Sequence, residues 1–224
     1  MKKTRIDLLI SFLLLFVFVL FTFAVKTVDV ANIGQDGTAV GFSSINGYFK
    51  DLFGKNETLF KIAEILGYLS IAVMVGFAGL GLYQAIKRKS LLKIDYQLFV
   101  LAGLYVAIIL AYVLFEVFKV NYRPFDFGEG LEASYPSSHT LMSVVVMCSA
   151  VRMFAYLLKD NTTVRRIVSI AALVVAAATV IFRFTSGAHW FTDILGSLIL
   201  SAALLMLFNS VINIVEDLKA ARNK

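Results

Sequence analysis

Six apolar runs constrain this chain more than any other feature. They span about 8–25, 60–85, 98–118, 140–158, 167–184 and 190–214. Each is near the ~20 residues that a helix needs to cross a bilayer. A segment in hydrocarbon must satisfy its own backbone hydrogen bonds, and a single run does so only as a helix. Charged residues make up 16% of the chain and apolar ones 59%, whereas a soluble domain carries about a quarter charged. The expected fold is therefore all-α: one polytopic membrane domain, 1–224, with six transmembrane helices. The net charge of +6 does not point to nucleic acid, because the basic residues flank apolar runs and form no patch with interleaved aromatics. Cys148 is the only cysteine, so no intramolecular disulfide can form.

The charges between the runs give an orientation. Fourteen of the 21 lysines and arginines fall on one side, with the chain ends and with Lys87–Lys89, Lys93, Arg152, Lys159, Arg165 and Arg166. Excess Lys and Arg mark the cytoplasmic side. Both termini are then expected in the cytoplasm. A basic start before an apolar run also fits a signal peptide, but this run is longer than a usual signal core and lacks a clear cleavage site. We read it as a first span. Between runs one and two, Phe42, Ile45, Phe49, Leu52 and Phe53 recur at helical spacing. They fit either a short interfacial helix or a packed loop. Asn56-Glu57-Thr58 matches a glycosylation sequon.

Two polar islands lie on the opposite, outward side. The first runs from Glu116 to His139 and the second from Arg183 to Asp193; together they hold both histidines. The third span is expected to end near Arg123-Pro124, because proline cannot continue a helix comfortably. Pro136-Ser137-Ser138-His139 reads as a helix start, whose free N–H groups suit an anion. The sixth span is expected to open at His189, with Asp193 four residues on along the same face. One membrane face would thus gather two arginines, two serines at a helix start, two histidines and a carboxylate. Guanidiniums and backbone donors suit phosphate oxygens. One histidine oriented by a carboxylate can be a nucleophile, and the other can protonate a leaving alkoxide. Taken singly, each arginine or histidine would pass as an interfacial residue; it is the joint placement that points to chemistry. Trp190 and the tyrosines at span ends read as ordinary interface residues, and Asp126, Glu129 and Glu132 as a solvated acidic loop.

The pattern resembles the type 2 phosphatidic acid phosphatase (PAP2) family of membrane lipid phosphatases. That family carries the motifs K-x6-R-P, P-S-G-H and S-R-x5-H-x3-D. Here they stand as Glu116-x6-Arg123-Pro124, Pro136-Ser137-Ser138-His139 and Phe182-Arg183-x5-His189-x3-Asp193. The resemblance implies a phosphohistidine on His189, oriented by Asp193, with His139 as the leaving-group acid. It implies phosphate binding by Arg123, Arg183, Ser137 and Ser138. The residues themselves meet the needs of phosphate-ester hydrolysis without a metal, and no cofactor is expected. The expected partners are the bilayer and a lipid phosphate or diphosphate, such as undecaprenyl diphosphate, phosphatidylglycerol phosphate or phosphatidate. A short, loop-poor chain suits a bacterial cytoplasmic membrane, with the site on the extracytoplasmic side.

Three residues depart from the motifs. Ser138 replaces a glycine and keeps its N–H. Phe182 replaces a serine. Glu116 stands where the family has a phosphate-binding lysine, and a carboxylate there repels phosphate. Glu116, Lys119 and Arg123 are expected to share one helical face, so that either Lys119 takes over the lost role or Glu116 orients Lys119 or an arginine. Two other functions stay open at this stage: phosphotransfer to a hydroxyl, and non-catalytic binding or transport of lipid phosphates on the same scaffold.

Overall fold

The computed structural model describes residues 2–128 and 130–222. Seven α-helices account for most of them: α1 Lys2–Thr27, α2 Ser43–Phe53, α3 Glu57–Arg88, α4 Tyr96–Val117, α5 Ser138–Leu157, α6 Thr162–Thr185 and α7 Phe191–Arg222. All but α2 are long and apolar enough to cross a membrane. They coincide with the six runs, and the amphipathic segment is the short helix α2.

The helix starts follow from local chemistry. Asn56 caps α3, its side chain accepting from the Leu59 N–H at 3.0 Å. That is the asparagine of the sequon, so its amide is engaged in capping. Asn161 caps α6 in the same way, through Val164. Ser137 caps α5, accepting from the Thr140 N–H.

The bundle is built around α5 and α7. Helix α7 packs along α1 and α5, while α6 and α3 pack on α5. The core holds Leu101, Leu104, Leu141, Val145, Val146, Met153, Leu204 and Phe208. Polar bridges tie helices together where side chains are small: Ser11 Oγ donates to the Ala203 carbonyl at 3.1 Å, and Ser70 and Ser143 hydroxyls meet at 2.9 Å. Such contacts are the usual cement of helices in lipid, where the bilayer gives no hydrophobic drive for one helix to seek another. The outer surface is apolar, with Leu9, Phe12, Leu13, Phe16 and Phe23 of α1 more than half exposed. On a water-soluble protein this would be a liability; against acyl chains it matches the solvent.

The sequence reading misplaces two ends. Helix α4 stops at Val117, seven residues before Pro124. Glu116, Lys119 and Arg123 therefore do not share a helical face. Phe118 already leaves helical geometry (φ −98, ψ 72), so the turn is made well before proline could force it. Helix α7 opens at Phe191, two residues after His189.

Candidate active site

The segment between α4 and α5 folds back on itself as a short antiparallel turn, pairing Tyr122 with Ala133. The Arg123 N–H donates to the Glu132 carbonyl at 3.0 Å, and the Ser134 N–H to Asn121 at 2.9 Å. This turn lies on the α6–α7 connection, where it positions the second polar island. The indole N–H of Trp190 donates to the Tyr122 carbonyl at 2.7 Å. Trp190 is 1% exposed, so it is part of the site's frame and not the interface residue its position suggested. Its buried N–H needs an acceptor, and the turn supplies one.

His189 is buried and held from two sides. Its Nδ1 lies 3.1 Å from the Ser134 carbonyl oxygen and 3.7 Å from Asp193 Oδ2. A carbonyl can only accept, so Nδ1 carries the proton and Nε2 keeps its lone pair. Nε2 is buried with no protein partner. Burial, with the positive charges of Arg123 and Arg183, pushes the His189 pKa well below the ordinary imidazole value; the bond to Ser134 partly opposes this. The ring is thus kept neutral.

Asp193 is fully buried in the first turn of α7. Its Oδ2 accepts the Trp190 N–H at 3.0 Å, and its Oδ1 accepts from Asn121 at 3.2 Å. The carboxylate therefore caps α7 while standing beside the histidine. The sequence pairing of His189 with Asp193 is met in space, but the direct hydrogen bond on Nδ1 goes to Ser134.

The two arginines converge on one aromatic ring. Arg183 is fully buried, and its guanidinium carbon lies 4.9 Å from the Phe60 ring centre. That of Arg123 lies 5.6 Å from the same centre. Phe127 stacks on Phe60 at 4.2 Å. Each arginine also meets a carboxylate: Arg123 pairs with Glu132 at 2.6 Å and Arg183 with Glu64 at 3.4 Å. Nε and Nη1 of Arg183 are buried without a protein acceptor. A buried guanidinium with open donors suits an anion with several oxygens.

His139 sits at the start of α5, within electrostatic reach of Arg183, His189 and Arg123. Its imidazole lies against Gly67 of α3, where a Cβ would come within 2.8 Å of Cδ2. Ser137 is fully buried and its hydroxyl donates to Thr140 Oγ1 at 3.0 Å, so its side chain serves the helix start. Ser138 and Glu116 line a separate small cavity with Ser134, Tyr135 and Pro136. Lys119 is exposed, its ammonium 5.6 Å from the Tyr122 ring centre. Glu129 lies outside the described residues.

The structure thus brings together Arg123, His139, Arg183, His189 and Asp193. It adds residues that carry no motif signal: Phe60, Glu64, Asn121 and Ser134. No spacing rule announces them, since they reach the site from α3 and from the interior of the turn.

These features define a class: a helical membrane protein with six candidate spans, and with two arginines, one of them fully buried, and two histidines at one end of its bundle. Residues 119–215 match the model of the PAP2 superfamily. No curated protein matches it. Among solved structures, it is similar to a transmembrane PAP2 type phosphatidylglycerolphosphate phosphatase from Bacillus subtilis. The TM-score is 0.64 at 17% identity, covering 91% of this chain and 96% of that one. At this identity the likeness concerns the fold.

Proposed function

We propose that this protein is a phosphatase of lipid phosphates or diphosphates, acting at the outer face of the membrane through a phosphohistidine intermediate. The observation that carries the reading is the state of His189: neutral, its Nδ1–H fixed by Ser134, its Nε2 lone pair buried beside two guanidiniums. In the first step Nε2 attacks phosphorus and the bond from phosphorus to the leaving oxygen breaks. His139 gives that oxygen a proton. The imidazole gains positive charge as the P–N bond forms, and Asp193 balances it. In the second step water attacks phosphorus, His139 takes its proton, and the P–N bond breaks to release inorganic phosphate and restore the neutral ring.

Arg123 and Arg183 hold the non-bridging oxygens throughout. Their N–H donors orient those oxygens for attack. The basic side of the bundle is opposite the site, which supports an outward-facing active centre. The PAP2 match and the apolar outer surface support a substrate presented from the bilayer.

The test is phosphate release by purified protein in detergent, with EDTA, from phosphatidate, phosphatidylglycerol phosphate and undecaprenyl diphosphate. Turnover of at least one is expected. No release from any of them, with or without added Mg²⁺, would refute the reading.

A further inference from the structure

The charges at the phosphate site balance, and that raises a question. Arg123 and Arg183 are positive; Glu132 and Glu64, paired with them, are negative. Such a cradle has shape for phosphate but little net attraction. A phosphate monoester carries about −1.5 to −2 at neutral pH. Glu116, in the first motif, adds no positive charge. Another cation should serve the site.

Lys50 meets the requirement, and it comes from α2. That helix is fixed against α7 from its own side chains. Asn46, fully buried, donates to Thr192 Oγ1 at 3.0 Å and accepts the Thr192 N–H at 3.2 Å. Phe49 and Phe53 each pack on Phe184 with ring centres 5.0 Å apart, and Phe49 also stacks on Phe191 at 5.2 Å. Lys50 follows Asn46 by one turn and so lies on the same face. Its ammonium stands 5.6 Å from the Trp190 ring centre and 5.5 Å from that of Phe125. It lines a small cavity together with His189 and Pro124. Its one hydrogen bond among the described residues goes to the Ile33 carbonyl, at 2.7 Å. No carboxylate of the described residues pairs with it.

We propose that Lys50 is a substrate-binding residue: the half-buried ammonium that α2 places beside His189 and Trp190 binds the anionic headgroup and supplies the positive charge the paired arginines do not. Two of its three N–H donors are open for phosphate oxygens. The aromatic faces favour the cation without neutralising it. Helix α2 is then part of the binding site and not only a cover on it. The inference rests on the proposed phosphate chemistry, but it concerns a residue outside all three motifs.

Trp190 is the only tryptophan, so its fluorescence reports binding beside Lys50 without requiring turnover. The experiment titrates inorganic phosphate into full-length protein in detergent, comparing wild type, Lys50→Met and Lys50→Arg, with Tm measured for each. Removing one charged hydrogen-bond donor should weaken phosphate binding about 10–100-fold. Lys50→Arg should stay within about threefold of wild type, because the charge is kept. KM for a lipid phosphate should rise in Lys50→Met by a similar factor, with kcat changed less. Unchanged phosphate affinity in Lys50→Met would overturn the proposal. So would equal losses in the Met and Arg variants accompanied by a lowered Tm, which would make Lys50 a tie between α2 and Ile33. A wild type that binds phosphate through Lys50 yet releases none from lipids would refute the phosphatase reading alone.

Discussion

Gly67→Ala should disable the acid step while leaving the fold in place. Gly67 lies on α3 against the His139 imidazole. A Cβ there would meet Cδ2 at 2.8 Å and Nε2 at 3.6 Å. Carbon atoms at rest are about 3.5–4.0 Å apart, so one group must move by roughly 0.7–1.2 Å. The ring is the softer partner, since α3 and α5 are packed helices. Overpacking costs about 1–3 kcal/mol, and replacing a helical glycine by alanine returns about 1 kcal/mol. The net stability change should be small. The catalytic change should not be, because displacing a reacting group by about 1 Å can cost ~10²-fold. The assay compares kcat on a lipid phosphate with kcat on an aryl phosphate whose leaving group needs no proton. Gly67→Ala should lose about 100-fold on the lipid and far less on the aryl ester, with Tm nearly constant. An unchanged kcat on the lipid, or equal losses on both substrates, would refute the assignment of His139 as a proton donor positioned by this contact.

Other outcomes follow from single residues. Gly187→Ala should lower Tm markedly: its φ is +75 and a Cβ would sit 2.2 Å from the Gly54 carbonyl oxygen, a backbone atom. Wild-type kcat/KM should not show an acid limb at the ordinary imidazole value of ~6.5, because burial and the two arginines keep His189 neutral well below it. The same shift acts on stability. Below ~6.5 the unfolded chain binds a proton at His189 that the folded one refuses, so stability falls as pH falls, by up to ~1.4 kcal/mol per unit. Thermal melts at pH 7.5 and about 5.5 should show this loss in wild type and less of it in His189→Gln. Lys119→Ala should change kcat/KM by less than about twofold, since its ammonium lies over Tyr122 on the exposed surface; a loss above tenfold would place Lys119 in the phosphate site after all.

Much of this could be read from the chain. The spans followed from run length, because hydrocarbon leaves the backbone one solution. Helix α2 was one of two readings its phenylalanines allowed, and Phe49 clamps it on Phe184 and Phe191. The motif residues Arg123, His139, Arg183, His189 and Asp193 do meet. What spacing could not show was the end of α4 at Val117, which undid the shared face of Glu116, Lys119 and Arg123. A proline sets the latest place a helix can stop, not the earliest. Nor could spacing show the carboxylates on the arginines or the ammonium of Lys50. Glu64 and Lys50 look like ordinary interfacial charges until α3 and α2 are docked. Trp190 misled for the same reason: a tryptophan at a span end is usually wet, and only the turn at Tyr122 reveals its partner.

The central claim is that His189 Nε2 forms a bond to phosphorus. It is tested most directly by acid-free trapping with a radiolabelled lipid phosphate, followed by mapping of the labelled peptide. Wild type should show a transient, acid-labile label on the peptide containing His189, and His189→Ala should show none. In His139→Ala turnover should fall about 10²–10⁴-fold, the usual contribution of a positioned acid–base group. Label retained in His189→Ala, or mapped to any other residue, would contradict the account.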